Sequence, residues 1–317
     1  MNGATLDYRH RPAKNIERHI IVDACRALLD ALGVAPRDMQ YVGMGAYEFI
    51  DFQLFHRALG IDRMVSIERK DVTRHVFNKP FATVEIVHGQ AGDLIRGGRI
   101  DIARPTILWL DYVERLNSKL IADVQDAVNG IAAPSVLIVT VSARNDDKVD
   151  GSAERFINQV GTDWTSIDET DDGAARGGRL VESQRLALTA AIADALGERL
   201  GDQLTWHQVL NISYADGVPM QTLAGVLLGS EHDGTDVADM FKGRDYFSPA
   251  ESPLDLRVPV VTSRERDFLD SQLPKHDGPV STGATGLRTV DVEAYRRVYR
   301  WMHLAGLQSA HETTWTE

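Results

Sequence analysis

The chain has 317 residues, with 46 acidic and 34 basic side chains and a formal net charge of -12. A single cysteine excludes an internal disulfide framework and a thiolate metal cage. The acidic balance argues against a broad nucleic-acid surface, because phosphate contacts rely on Lys and Arg.

No stretch approaches a membrane span, and Met1–Arg9 lacks a hydrophobic signal core, so a cytoplasmic protein with no membrane partner is expected. The predicted elements then follow in chain order. Residues 14–33 read as an amphipathic helix: Ile16, Ile20, Ala24, Ala27, Leu28 and Ala31 recur at steps of three and four, and Gly33 marks its stop. Cys25 falls inside it as a small apolar residue. Five short apolar runs come next, at Gln40–Gly43, Met64–Glu68, Thr83–Val87, Thr106–Asp111 and Ser135–Val141. Helical patterns separate them, at about Tyr47–Leu59, Asp71–Asn78, Gly92–Ile95 and Ser118–Ile131. Strands alternating with helices predict a doubly wound, mostly parallel sheet covered on both faces.

Asp and Gly crowd residues 161–179, which read as a mobile loop or an insertion. A helix follows at about Val181–Arg199. Trp206–Tyr214 and Pro219–Leu228 then read as a terminal hairpin around Asp216-Gly217. Residues 230–260 give few regular signals. Thr262-Ser263-Arg264-Glu265 is a capping-box pattern opening a helix through about Leu273, and a last helix is expected over about Val290–Leu304. The expected division is a sheet domain with its N-terminal helix over 1–229 and a helical appendage over 230–317, with the tail after Gly306 frayed.

In such a sheet, ligands meet the carboxyl ends of the strands near the switch point. The first strand ends in Gly43-Met44-Gly45, which lets the backbone approach a ligand or serves a tight turn alone. Glu68 ends the second strand, 23 residues after Gly45, the spacing of an acid that holds a ribose diol. Asp93 follows the third strand and suits an adenine amino group or a helix N-cap. Asp111 ends the apolar fourth strand and suits a proton acceptor, an acceptor-positioning group or a helix cap, with Tyr112 beside it. Arg9, Arg11, Lys14 and Arg18 form a basic cluster. The last three share one helix face and are the candidate phosphate or carboxylate contact, or else a solvated helix end. Arg296, Arg297 and Arg300 read as the wet face of the last helix, and His56 as a packing residue. Ten histidines show no metal-ligand spacing, so no metal is expected. P-loop and nucleophile-elbow patterns are absent too.

Gly43-Met44-Gly45, Ser66-Ile67-Glu68, Gly92-Asp93, Trp109-Leu110-Asp111-Tyr112 and the hairpin resemble the class I S-adenosylmethionine-dependent methyltransferase family. More narrowly, Arg11-Pro12-Ala13-Lys14, Glu17-Arg18, Asp51-Phe52, Phe55-His56 and Phe77-Asn78-Lys79-Pro80 resemble bacterial O-methyltransferase-like proteins, whose genes are often associated with phage-defence loci. The resemblance covers about residues 8–230 and implies strand order 3-2-1-4-5-7-6. It implies S-adenosylmethionine as cofactor, with Gly43 and Gly45 at its methionine part, Glu68 at the ribose and Asp93 at the adenine. Asp111 would orient the methyl acceptor, an oxygen or nitrogen of a small molecule or protein, with Tyr112 packing beside it. Two departures stand out: Tyr47 replaces a third glycine and narrows the cofactor site, and Val113 replaces a second aspartate. The Asp-Pro-Pro-Tyr motif of amino-directed DNA enzymes and the nucleophilic cysteine of C5 enzymes are missing. The alternative is a non-catalytic binding module that senses a nucleotide or a partner protein. A homo-oligomer is compatible with either.

Overall fold

The computed structural model describes residues 11–302 apart from 71, 200–202, 245, 248–252 and 276. Arg9, Asp71 and the tail beyond Gly306 therefore lie outside the described residues. The chain opens with α1 (Pro12–Leu32), which stops where Gly33 takes a φ of 65°. Then come β1 (Gln40–Gly43), α2 (Ile50–Leu59), β2 (Arg63–Glu68), α3 (Val72–Asn78), β3 (Val84–His88) and α4 (Ala91–Arg96). β4 (Thr106–Arg115), α5 (Ser118–Gly130) and β5 (Ser135–Ser142) complete the alternating series.

Two differences from the predicted elements matter for the site. The helix expected from Tyr47 begins only at Ile50, because Ala46 and Phe49 both adopt a left-handed backbone with φ of 49°. β4 runs four residues past Asp111, to Arg115.

The Asp/Gly-rich stretch is not a bare loop. α6 (Ser152–Val160) precedes it, and two 3-10 turns, Thr162–Trp164 and Asp172–Ala175, lie within it. Asp172 fixes the start of α6: its carboxylate accepts from the backbone N–H of Gly151 at 2.9 Å and of Ala153 at 3.0 Å. Ala153, Phe156, Ile157 and Val160 recur at the helical spacing i, i+3, i+4 and i+7, so α6 was legible in the sequence although it was not among the predicted elements. α7 (Gly177–Glu198), β6 (Thr205–Ala215) and β7 (Pro219–Leu228) follow, then a short α8 (Val237–Met240), β8 (Leu254–Leu256), α9 (Ser263–Asp270) and α10 (Thr289–Met302). The capping box forms as predicted: Glu265 N–H donates to Thr262 Oγ1, and Thr262 N–H donates to the Glu265 carboxylate.

The sheet order is β3-β2-β1-β4-β5-β7-β6-β8. The first five strands pair in parallel, and β7 runs antiparallel to β5. This is the predicted class I methyltransferase order with one extra short edge strand. The sequence missed β8 because three residues are too few to show a period. β1 sits between β2 and β4, so the chain reverses its direction of growth there. That is the switch point where a crevice opens beyond the strand ends.

The core is built on both faces of the sheet. Alternation along the strands turns Val42, Val65, Leu108, Leu110 and Val139 toward α4, α5 and α7. The other face carries an aromatic cluster: Tyr41 stacks on Phe55 at 4.3 Å between centroids, and Phe55 meets Trp109 edge-on. Cys25 is buried, and desolvation pushes its thiol pKa well up, so it behaves as an inert apolar residue.

The chain divides into two compact units. One holds residues 21–213 and 218–254, hence most of the sheet and its covering helices. The other holds residues 1–20, 214–217 and 255–317. The appendage expected over 230–317 is thus split, with 230–254 grouped with the sheet. In the smaller unit Leu269, Val280, Val292 and Tyr295 form a core of their own, and Tyr295 Oη donates to Asp270 at 2.6 Å. Arg296 there donates to the carbonyls of Lys275 and Gly278, so it is a structural link and not simply a wet-face residue.

Candidate active site

The turn after β1 makes close approaches, but to the protein's own rings. A Cβ at Gly45 would stand 2.4 Å from Phe49 Cδ1 and 2.9 Å from Ser66 Oγ. One at Gly43 would stand 2.6 Å from Tyr41 Oη. The glycines are needed because Phe49 and Tyr41 fill the space beside them. Gly45 N–H donates to Ser66 Oγ at 3.1 Å, and Tyr41 Oη makes a short hydrogen bond to buried Asp51.

Glu68 lies at the end of β2, buried, with both carboxylate oxygens engaged. Ser66 Oγ donates to Oε1 at 2.7 Å, and His75 Nε2 of α3 lies 2.8 Å from Oε2. Burial raises the Glu68 pKa to about 7, overcoming the hydrogen bonds from Ser66 and Gly45, and the nearby Asp51 charge adds to the rise. Tyr47 stacks on His75 at 4.8 Å, and the Arg74 guanidinium lies 3.7 Å from the Tyr47 ring centroid. The residue expected to narrow the site thus covers the histidine that holds its acid. Sequence reasoning missed His75 and Ser66; the only available signal was their nearness to Glu68 at a strand–helix junction.

Asp93 stands at the third position of α4, and Gln90 is the N-cap residue, so Asp93 is not the N-cap. Asp111 is half-buried and in register with Thr140 of β5. It does not cap α5: Asn117 does, its side chain accepting from Leu120 N–H at 3.1 Å. Tyr112 points to the opposite face, where its hydroxyl donates to Asp123 at 2.8 Å. Desolvation, reinforced by the Asp123 charge, raises its pKa well above the usual tyrosine range. Asp123 in turn sits where a Cβ at Gly92 would be, 2.1 Å from its Oδ1. Burial raises the Asp123 pKa as well. Tyr112 is therefore held against α5 by a buried acid.

Beyond the ends of β2 and β3 lies an open groove of about 410 Å³, lined by Arg69, Lys70, His88, Gly89 and Gln90. Beyond β4 and β5 a much smaller cleft of about 20 Å³, room for one water-sized group, is lined by Arg115, Phe156 and Gln184 among others. Buried Gln184 donates to the Ser142 carbonyl, while its Oε1 has no hydrogen-bond partner. His56 packs against the Phe81 ring at 4.1 Å, as a packing residue should. No group of three or more potential metal ligands is found among the described residues.

The predicted basic cluster is placed differently. Lys14 and Arg18 are buried on α1, so the cluster is not a solvated helix end. Arg11, Lys14 and Arg18 fall in the smaller unit, whereas Gly43, Gly45, Glu68, Asp93, Asp111 and Tyr112 fall in the larger one.

The strand order and the acid at the end of β2 define a class I S-adenosylmethionine-dependent methyltransferase fold. The chain belongs to the family described as "Putative O-methyltransferase", whose profile matches residues 6–302. The family's description names methyl transfer to oxygen. No curated protein sequence matches the chain. Among solved structures it is similar to a "putative caffeoyl-CoA O-methyltransferase" from Staphylococcus aureus, at 13% identity over 64% of this chain and 82% of that one, with a TM-score of 0.34. It is similar to the O-methyltransferase TomG from Streptomyces achromogenes, at 17% identity over 70% and 91%, with a TM-score of 0.34. It is also similar to "A Pericyclic Reaction enzyme", at 14% identity over 61% of this chain but 44% of that chain, with a TM-score of 0.36. No helix among the described residues is long and apolar enough to cross a membrane.

Proposed function

We propose that the chain methylates an oxygen of a small-molecule or protein acceptor, with S-adenosylmethionine held across the carboxyl ends of β1, β2 and β3. When bound, the cofactor supplies an electrophilic methyl group. The observation that carries the reading is a buried carboxylate, Glu68, at the end of β2, with an open groove beyond the ends of β2 and β3. Glu68 would meet the ribose diol, His88–Gln90, which line the groove, would wall the base, and Asp93 would take its amino group. Gly43 and Gly45 would meet the methionine part through their backbone alone, since Tyr41 and Phe49 fill the space beside them. Glu68 meets a ribose only by giving up His75 or Ser66. Asp111 orients the acceptor oxygen or takes its proton, and the rate gain is mainly alignment. Tyr112 acts only by fixing the β4 end through Asp123. Accordingly Tyr112→Phe should lower stability by about 1 kcal/mol and leave the turnover of bound acceptor within twofold. A larger fall in turnover would return Tyr112 to the chemistry.

Calorimetry with S-adenosylmethionine tests the reading. Saturable binding that is lost in Glu68→Ala is expected. No binding at millimolar ligand sinks the proposal, and binding unchanged in Glu68→Ala moves the site elsewhere. A second reading, a sensor without turnover, is favoured by the two engaged oxygens of Glu68 and by Tyr47 over His75. Binding without methyl transfer to any cellular extract would select it. A place in phage defence rests on the sequence resemblance alone.

A further inference from the structure

Two charged side chains on the first turns of α1 are withdrawn from water: Lys14 is 3% and Arg18 5% exposed. Lys14 Nζ lies 2.9 Å from Oε2 of Glu17, itself fully buried, and 5.6 Å from the centroid of the Tyr214 ring. Asp216 is committed elsewhere, because its carboxylate accepts from the backbone N–H of Ala13 at 3.1 Å and of Lys14 at 2.8 Å. The start of the helix is thus already capped. Arg18 is left over. Its Nε and Nη1 are sealed from solvent, and neither has a hydrogen-bond partner. Lys14 and Arg18 are thus two buried positive groups beside Glu17, and neither sealed nitrogen of Arg18 bonds to an acid.

A buried guanidinium without a partner is among the costliest arrangements in a protein interior. Guanidinium cannot shed its proton to escape that cost. Helical side chains also lean toward the helix N-terminus, which carries Arg18 toward Lys14 and Arg11. We propose that Arg18, with Lys14 and Arg11 on the same helix face, forms an oxyanion site that takes a phosphate or carboxylate group. Oxyanion lone pairs satisfy guanidinium donors with strong, charge-assisted hydrogen bonds. The site lies within the smaller unit and does not depend on the methyl-transfer reading.

The test is thermal unfolding of the full chain in millimolar inorganic phosphate or acetate, with chloride holding the ionic strength constant. A saturable rise in Tm is expected, about 4 °C at a hundredfold excess over Kd. A response to phosphate alone assigns a phosphate site, and a response to acetate as well assigns a general oxyanion site. Arg18→Met should abolish the rise. Its Tm in anion-free buffer should be no lower than that of the unsubstituted chain, since an unpartnered buried charge is replaced by an apolar side chain. A clearly lower Tm there, or a failure to fold, would mean that a group of the chain itself already satisfies Arg18, and would overturn the site. Calorimetry of the unsubstituted chain with phosphate and with acetate decides independently, because no saturable heat with either overturns the proposal whatever the variant does. S-adenosylmethionine binding should be unchanged in Arg18→Met, which separates failure here from failure of the methyltransferase reading.

Discussion

Glu68 and Arg18 are both buried charges, and they are treated in opposite ways. Around Glu68 every oxygen has a partner, and even the histidine that serves it is covered by an aromatic ring. Around Arg18 the available acids are already engaged: Glu17 with Lys14 and Asp216 with the backbone. A fully served charge must release a partner before it can meet a ligand. An unserved one marks a site that waits for something from outside. Glu68 also answers its burial by holding its proton more tightly.

The strongest way to break this contrast is to titrate it. Glu68 has a raised folded-state pKa, so the folded protein holds that proton more tightly than the unfolded chain. Its contribution to stability is fully present below the ordinary value of 4.5, is lost as pH rises to about 7, and changes no further above that. In urea unfolding across that range, the unsubstituted chain should lose on the order of 3 kcal/mol relative to Glu68→Gln. Parallel profiles for the two proteins would mean that Glu68 is not desolvated. Next in size is Gly45→Ala, whose methyl would collide with Phe49 and Ser66. A loss of about 2 kcal/mol is expected, together with weaker S-adenosylmethionine binding, measured by denaturation and calorimetry. A neutral result would mean that the turn has room. On the Arg18 side, Asp216→Ala removes the α1 cap and should cost about 1 kcal/mol in the same assay, with the phosphate response intact. A lost response would place Asp216 in the anion site. The smallest effect belongs to Phe77→Ser, at a side chain 86% exposed, where stability should move by less than about 0.5 kcal/mol.

What the sequence made legible was governed by period and position. β1 and β7 match their predicted bounds, because apolar runs closed by Gly and Pro are strong local signals. The acid at the end of β2 was visible because strand ends are few and an acid there is conspicuous. His75 was not, because a lone histidine on a short helix carries no spacing rule, and only the packing of α3 brings it to Glu68. The glycine pair was read as room for a ligand, yet the space beside each is filled by an aromatic ring two or four residues away. Spacing identifies where a side chain is missing but not what occupies the gap. The same limit applied to Lys14 and Arg18: periodicity placed them on one face without telling whether that face was wet.

The cap that Asp216 provides for α1 spans 203 residues of sequence to Ala13. Loop closure over such a distance is entropically costly and slow, so local helices and hairpins form ahead of it. The first turn of α1 can receive its cap only after the β6–β7 turn exists. The earliest residues of the described chain are thereby among the last to be secured, and their amides should be the late ones to gain protection when refolding is followed by hydrogen exchange.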